Sequence, residues 1–223
     1  MILIPARNEA PRVGAIVRSV IAQCPDDEVV VVVNGCTDET EAQAKAAGAT
    51  VIESEPGYGH ALLAGYRYAA QKNDGSCLIQ MDADGQHPIE AIPLLRAGLE
   101  NADLVIASRL SPGGASPGWP LSRRWAIAMM GLYTSVFMGR RIHDVSSGFQ
   151  AMKPEVVRSL ILDFPVTLTD ANVLVRLHRQ GFKIEEVAVC MSPRMGGTSM
   201  HGGLGSVVYA GQTMMAVAKE YRR

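Results

Sequence analysis

Between Leu104 and His143 the 223-residue chain holds no acidic residue at all, although those forty positions carry Arg109, Arg123, Arg124, Arg140 and Arg141. Other absences narrow the field further. The four cysteines, Cys24, Cys36, Cys77 and Cys190, contain no C-x-x-C spacing. That argues against a zinc site or a disulfide framework and fits a reducing compartment. No basic leader precedes an apolar stretch, because Met1 runs straight into Ile2-Leu3-Ile4. No apolar run reaches the roughly 20 residues of a spanning helix. The longest, Trp125 to Met138, is short and interrupted by Gly131, Thr134 and Ser135. A protein that is soluble, or that rests on a membrane without crossing it, is therefore expected, in the cytoplasm or on the cytoplasmic membrane face. Net charge is only −1, so a general nucleic-acid binder is not expected.

What is present is ordinary globular material. Hydrophobic residues make up 48% and charged residues 19%, which excludes disorder, collagen and coiled coil for the whole chain. The length suits one α/β domain, residues 1–223. Its charge is uneven: residues 1–103 hold 15 acids and 7 bases, and residues 144–223 hold 7 acids and 9 bases. A basic, acid-free stretch beside an acidic half points to a surface that meets something anionic, or to a solvated basic face. The 16 arginines outnumber the five lysines, and arginine suits bidentate phosphate binding.

Strands and helices alternate along the first half. Ile2–Ile4 and Thr50–Ile52 are short strands, and Glu28–Val33 is a β-branched run of the kind buried on both faces. Cys77–Met81 and Leu104–Ala107 continue the series. Helices are predicted over Pro11–Ala22, with Val13, Ile16, Val17 and Val20 at helical spacing, from Thr37 or Asp38 to Ala47, and over His60–Gln71. Pro93 suits the first position of a further helix. Such alternation implies parallel pairing in a layered sheet. In the second half, 111–120 reads as a Gly/Pro-rich loop and Leu121–Gly139 as a helix. Asp144–Met152 is a loop and strand, Asp170–Arg179 a helix and Lys183–Met191 a strand. Arg194–Gly205 is a glycine-rich loop before a last helix that ends near Tyr221.

The strongest local motif is Asp82-Ala83-Asp84-Gly85-Gln86-His87. On extended backbone, side chains two apart point the same way, so Asp82 and Asp84 project together past a buried strand. Ligands of open α/β sheets bind at the carboxyl ends of strands. Two carboxylates there make half of a site for Mg2+ or Mn2+, with Gln86 as a third oxygen ligand. Pro56-Gly57-Tyr58-Gly59-His60-Ala61 opens a helix, and its glycines either admit a nucleotide or sugar close to backbone or simply form a tight turn. It is neither a dinucleotide fingerprint nor a P-loop.

Taken in order, Ile4-Pro5-Ala6-Arg7-Asn8-Glu9, Val33-Asn34-Gly35-Cys36-Thr37-Asp38, Gly57-Tyr58-Gly59 and Asp82-Ala83-Asp84-Gly85-Gln86-His87 resemble family 2 glycosyltransferases of the GT-A fold. Ala107-Ser108-Arg109, Asp144 to Gln150, Glu186 to Val189 and Arg194 to Ser199 resemble the polyprenyl-phosphate (dolichyl-phosphate) mannosyl- and glucosyltransferase branch. The resemblance implies a mostly parallel central sheet flanked by helices, with a donor and metal half over 1–103 and an acceptor half over 104–223. It implies a UDP- or GDP-sugar against Pro5, Arg7, Glu9, Asn34, Gly57, Gly59, Asp82 and Ala83. It also implies Mg2+ or Mn2+ on Asp82, Asp84 and Gln86. A polyprenyl-phosphate acceptor would meet Arg109, Arg123, Arg124, Arg194 and Ser199, with Asp82, Asp84, Arg109 and Arg194 the catalytic set. An anionic membrane surface is the expected partner, nucleic acid is not, and a homo-oligomer stays open.

The chain departs from the family pattern at three places. Val33-Asn34 stands where the family often has two aspartates, Arg7 where an aromatic is common, and Met200 where a lysine usually ends the loop. A phosphate monoester is ionised near neutral pH and needs no base to attack the anomeric carbon, which predicts inversion by one displacement. A sugar hydroxyl would need a base, for which Asp170 and Asp144 are the candidates; Asp170 equally suits a helix N-cap. A soluble acceptor such as phosphoglycerate, with His201 completing the metal site, and a non-catalytic nucleotide-sugar-binding module are the alternatives.

Overall fold

The computed structural model describes residues 1–72, 75–193 and 204–222. Seven strands form one sheet. They are β1 (Ile2–Ala6), β2 (Val29–Asn34), β3 (Thr50–Ser54), β4 (Leu78–Gln80), β5 (Leu104–Ser108), β6 (Gln150–Met152) and β7 (Ile184–Ala188). Their order across the sheet is β3-β2-β1-β4-β6-β5-β7. All neighbours pair parallel except β6, which runs antiparallel to both β4 and β5. The mostly parallel GT-A-type sheet is thus as expected, with one reversed strand near its centre.

The strands show why the sheet is covered on both sides. Val29, Val31 and Val33 join Ile2, Ile4, Val105 and Ala107 in one apolar cluster, beneath Val13, Val17 and Val20 of α1 (Ala10–Gln23). Val30 and Val32 point the other way, with Leu3, Leu104 and Ile106, toward Leu62 and Tyr66 of α3 (Tyr58–Lys72). An uninterrupted valine run is therefore two interleaved faces of period two, each buried under helices.

The helix α2 (Thr40–Ala46) starts later than the sequence suggests. Its N-cap is Glu39, which makes no side-chain cap bond, rather than Thr37 or Asp38; from one residue earlier, one Asp38 carboxylate oxygen accepts the Thr40 N–H at 3.0 Å and the other the Ala10 N–H at 3.1 Å. One side chain so satisfies first-turn donors of two helices. Burial raises the Asp38 pKa, but the hydrogen bonds from Thr40 and Ala10 outweigh it and hold the carboxyl below its ordinary value.

After the short α4 (Ile92–Gly98), the second half holds α5 (Leu121–Met138), α6 (Pro154–Leu162), α7 (Ala171–Arg179) and α8 (Leu204–Arg222). Gly139, in the left-handed region at φ 61°, ends α5. α6 has no counterpart in the sequence reading; it buries Val156, Val157 and Leu160 beside α3. α8 packs on α7 and α5, where Arg176 and Arg179 both bond to Glu220. One side of α5 is closed by Gly131, Thr134 and Met138, whereas Leu121, Trp125, Met129, Leu132 and Val136 stand exposed. No helix among the described residues is long and apolar enough to cross a membrane.

Candidate active site

The parallel strands deliver their carboxyl ends to one edge of the sheet. Because β6 is reversed, its amino end, and the loop before it, arrive at that same edge. A cleft of about 780 Å3 opens there. Pro5, Arg7 and Glu9 come from the end of β1, Asn34 from β2, Gly57 and Gly59 from the start of α3, and Asp82, Ala83, Asp84 and Gln86 from beyond β4. Arg109 follows β5 and Arg123 opens α5. Segments far apart in sequence therefore meet in one cleft. Arg124 is exposed and does not line the cleft. Arg194, Ser199, Met200 and His201 lie outside the described residues, as does most of the expected glycine-rich loop.

Asp82 is held from several sides. Tyr58 donates its hydroxyl to Asp82 Oδ1 at 3.0 Å, and Gln80 Nε2 contacts the same hydroxyl at 3.4 Å while donating to the Gly148 carbonyl at 3.1 Å. Burial, and then the Asp82 charge, push the Tyr58 phenol well above its ordinary pKa, so it remains a donor. His87 stacks on Phe149, their centroids 4.9 Å apart, and its Nδ1 accepts the Asp82 N–H at 3.0 Å. Burial lowers the His87 pKa against the pull of Asp82 and Asp84. With Nδ1 accepting, Nε2 is the ring's donor nitrogen, 3.8 Å from Asp82 Oδ2. A Cβ at Gly148 would lie 2.9 Å from the Tyr58 hydroxyl and 3.1 Å from Asp82 Oδ2, so a side chain there would displace these groups.

Asp84 is almost fully buried and accepts the Gln86 N–H at 3.0 Å. Gln86 donates its Nε2 to the Ser192 carbonyl at 3.2 Å, so its amide oxygen is the end left to accept. Among the described residues no group of three or more His, Cys, Asp or Glu converges. Two carboxylates and an amide oxygen are too few for a closed protein cage. They are the set Mg2+ or Mn2+ uses when substrate phosphates supply the remaining oxygens.

Asn34, nearly fully buried, donates to the Ala6 carbonyl at 3.3 Å and accepts the Gly57 N–H at 3.4 Å. It ties the ends of β1 and β2 to the start of α3. Glu9 is paired with Arg12, its carboxylate 2.6 Å from Nη2. Asn8 adopts φ 55°, and its side chain accepts the Thr37 N–H at 2.8 Å.

Two candidate bases are reassigned. Asp144 is fully buried and lies against Arg109, with Nε at 2.6 Å and Nη2 at 2.8 Å. It also accepts the Arg109 N–H and the Ser146 hydroxyl. A carboxylate so committed, and absent from the cleft wall, is no base for a substrate. Asp170 does line the cleft, but its side chain makes no cap bond to α7; it accepts the Tyr209 hydroxyl at 2.6 Å instead.

The pairing of Asp144 with Arg109 spans 35 positions and carries no local signal. Nor does Glu186 on β7, whose carboxylate accepts the backbone N–H groups of His143 and Asp144 at 2.9 and 2.8 Å. Glu186 stood in a motif without a role; its role is to hold the loop that orients Arg109.

A three-layer α/β/α sheet with paired carboxylates beyond a central strand and a nucleotide-sized cleft defines the nucleotide-sugar transferase class, the GT-A glycosyltransferases. Residues 1–161 match the family model described as glycosyl transferase family 2, and the chain belongs to that family. It is a glycosyltransferase, so the alternative of a non-catalytic module is set aside. It is 30% identical to an undecaprenyl-phosphate mannosyltransferase of Micrococcus luteus, over 91% of this chain and 87% of that protein. It is 32% identical to a polyprenol monophosphomannose synthase of Mycolicibacterium smegmatis, over 91% of this chain and 81% of that protein. In fold it is similar to the glucosyl-3-phosphoglycerate synthase of Mycobacterium tuberculosis, solved with Mn2+, UDP and phosphoglyceric acid. The TM-score is 0.73 at 22% identity, with 99% of this chain and 77% of that one covered.

Proposed function

We propose that the chain transfers a sugar, with inversion, from a nucleoside-diphosphate sugar to a polyprenyl phosphate at a membrane surface. One arrangement carries this reading. Asp82, Asp84 and Arg123 line the same cleft, and Arg123 belongs to a helix whose outer stripe is apolar. An anionic acceptor with a greasy tail matches both features of that helix. The names of the Micrococcus and Mycolicibacterium relatives support the same acceptor class.

Asp82, Asp84 and Gln86 would hold a divalent cation, which supplies charge neutralisation for the departing diphosphate. Tyr58, Gly148 and His87 keep Asp82 in place for that task. Pro5, Arg7, Glu9, Asn34, Gly57, Gly59 and Ala83 would shape the donor pocket. Arg109, Arg123 and, from outside the described residues, Arg194 and Ser199 would meet the acceptor phosphate. That phosphate is already ionised, so its oxygen attacks the anomeric carbon without a protein base, and what the site contributes is placement and charge.

The outer stripe of α5 runs Leu121, Trp125, Met129, Leu132, Val136, with Arg123 and Arg124 at its amino end. Packing on one side and exposure on the other are what a helix lying in the bilayer interface requires. Two measurements test the reading. UDP- and GDP-sugars with Mn2+ or Mg2+ are presented with a polyprenyl phosphate and, separately, with 3-phosphoglycerate. Labelled lipid from at least one donor is the expected product. Sedimentation with anionic vesicles is expected to carry the chain down at low salt, and to fail at high salt or when Arg123 and Arg124 become Ala. Transfer only to 3-phosphoglycerate, with indifference to vesicles, would replace the lipid acceptor by a soluble one.

A further inference from the structure

The Gly/Pro-rich segment 111–120 is tied to the sheet rather than loosely looped. Ala115 bridges Cys190, donating its N–H to the Val189 carbonyl and accepting the Met191 N–H, both at 3.0 Å. Gly114 allows this approach, since a Cβ there would sit 2.6 Å from the Ser108 carbonyl oxygen. The anchored segment delivers Trp119 to a set position. Its ring centroid lies 4.3 Å from the Arg109 guanidinium carbon and 3.9 Å from that of Arg123. Both are inside the range in which an aromatic face attracts a cation.

The two arginines differ in burial. Arg109 is buried and has Nε and Nη2 committed to Asp144. Arg123 is exposed, in the first turn of α5, and lines the cleft. An exposed arginine has many rotamers and surrenders them when it takes a ligand; an aromatic plate against it removes much of that loss beforehand.

We propose that Trp119 is a positioning residue that holds the Arg123 guanidinium at the cleft mouth, ready for the phosphate of a phosphate monoester. The immobile Arg109–Asp144 pair is the support against which the indole packs. The indole itself does not touch the phosphate. This deepens the reading of the cleft mouth as the acceptor-phosphate site and rests on it.

Calorimetric titration of the whole chain with farnesyl phosphate, and separately with 3-phosphoglycerate, tests the assignment. The monoester that binds the native chain is expected to bind Trp119→Leu about tenfold more weakly, the scale of a partly desolvated cation–π contact. Trp119→Phe retains an aromatic face and most of the affinity. Arg123→Ala loses at least as much as Trp119→Leu, and the double variant loses no more than Arg123→Ala alone. UDP affinity stays unchanged throughout. A purely structural tryptophan would lower the melting temperature and leave these dissociation constants alone. Native affinity in Trp119→Leu, additive losses in the double variant, or a native chain that binds neither monoester overturns the proposal. Should Trp119→Leu not fold, Trp119→Gln takes its place and Arg123→Leu is compared in the native and Trp119→Gln backgrounds: a smaller loss in the second supports the proposal, and an equal loss overturns it. Farnesyl phosphate that binds but receives sugar from no donor would remove the transfer reading and leave the Trp119 assignment standing.

Discussion

Asp82→Ala is expected to turn over roughly 100- to 1,000-fold more slowly than the native chain, the range found when one preorganised charge-stabilising group is removed. The carboxylate is not part of the core: its side chain is 30% accessible, and its neighbours are held independently, Tyr58 in α3 and His87 stacked on Phe149. The fold should therefore survive, with an unchanged circular dichroism spectrum and melting curve. Mn2+ binding, followed by water-proton relaxation in the presence of nucleoside diphosphate, should weaken in parallel with turnover. Asp82→Asn should be nearly as slow, because it keeps the shape and loses the charge. An Asp82→Ala chain that transfers sugar at the native rate in EDTA would end the claim that this carboxylate serves through a cation.

The largest expected loss of stability is at Asp144. Removing it strands the guanidinium of Arg109, which is 6% exposed, and deletes the acceptor of the Arg109 and Ser146 hydrogen bonds. Breaking one side of a buried ion pair costs about 3–5 kcal/mol, so Asp144→Ala should shift the urea midpoint far to lower concentration. Replacing both partners, with Arg109→Met added to Asp144→Leu, should recover much of that stability, since no buried charge is then left alone. Recovery of stability without recovery of activity is expected, because the support of Trp119 and Arg123 is lost. A loss below about 1 kcal/mol in Asp144→Ala would place the pair among ordinary surface bridges.

The parts of the architecture that were legible in the sequence are those written in local pattern. The valines of β2 announce a strand buried on both faces, and Asp82 and Asp84 follow an apolar run with the spacing a shared site needs. The strand of β6 is legible within Asp144–Met152, but its reversal is not, because three residues, Gln150–Met152, contain too few periods to reveal a direction. α6 escaped although α7, equally nine residues long, is legible; its signals are present, with Pro154 in the first turn and Val156, Val157 and Leu160 on one face. In the site, the cleft-lining residues on strand ends were legible. The buried supports were not, because Arg109 with Asp144, Tyr58 with Asp82 and Glu186 with the 143–144 backbone are contacts made only by the fold. The segment 111–120 misleads in the opposite sense: its glycines and prolines signal a loose connection, and the bridge from Ala115 to Cys190 turns them into a fixed edge.

The reversed strand has a consequence for biosynthesis. β6 lies between β4 and β5, so the middle of the sheet is the last of its central gaps to be filled as the chain emerges from the ribosome. Leu78–Gln80 and Leu104–Ser108 leave the exit tunnel well ahead of Gln150–Met152, and synthesis proceeds at about 5–20 residues per second. For a few seconds on that scale the nascent chain exposes two unpaired apolar edges, the template for association with other chains. Slow translation, or premature termination before residue 150, falls in this interval. Chaperone demand and inclusion-body formation should therefore depend on codon usage ahead of the β6 codons more than on the thermodynamic stability of the finished enzyme.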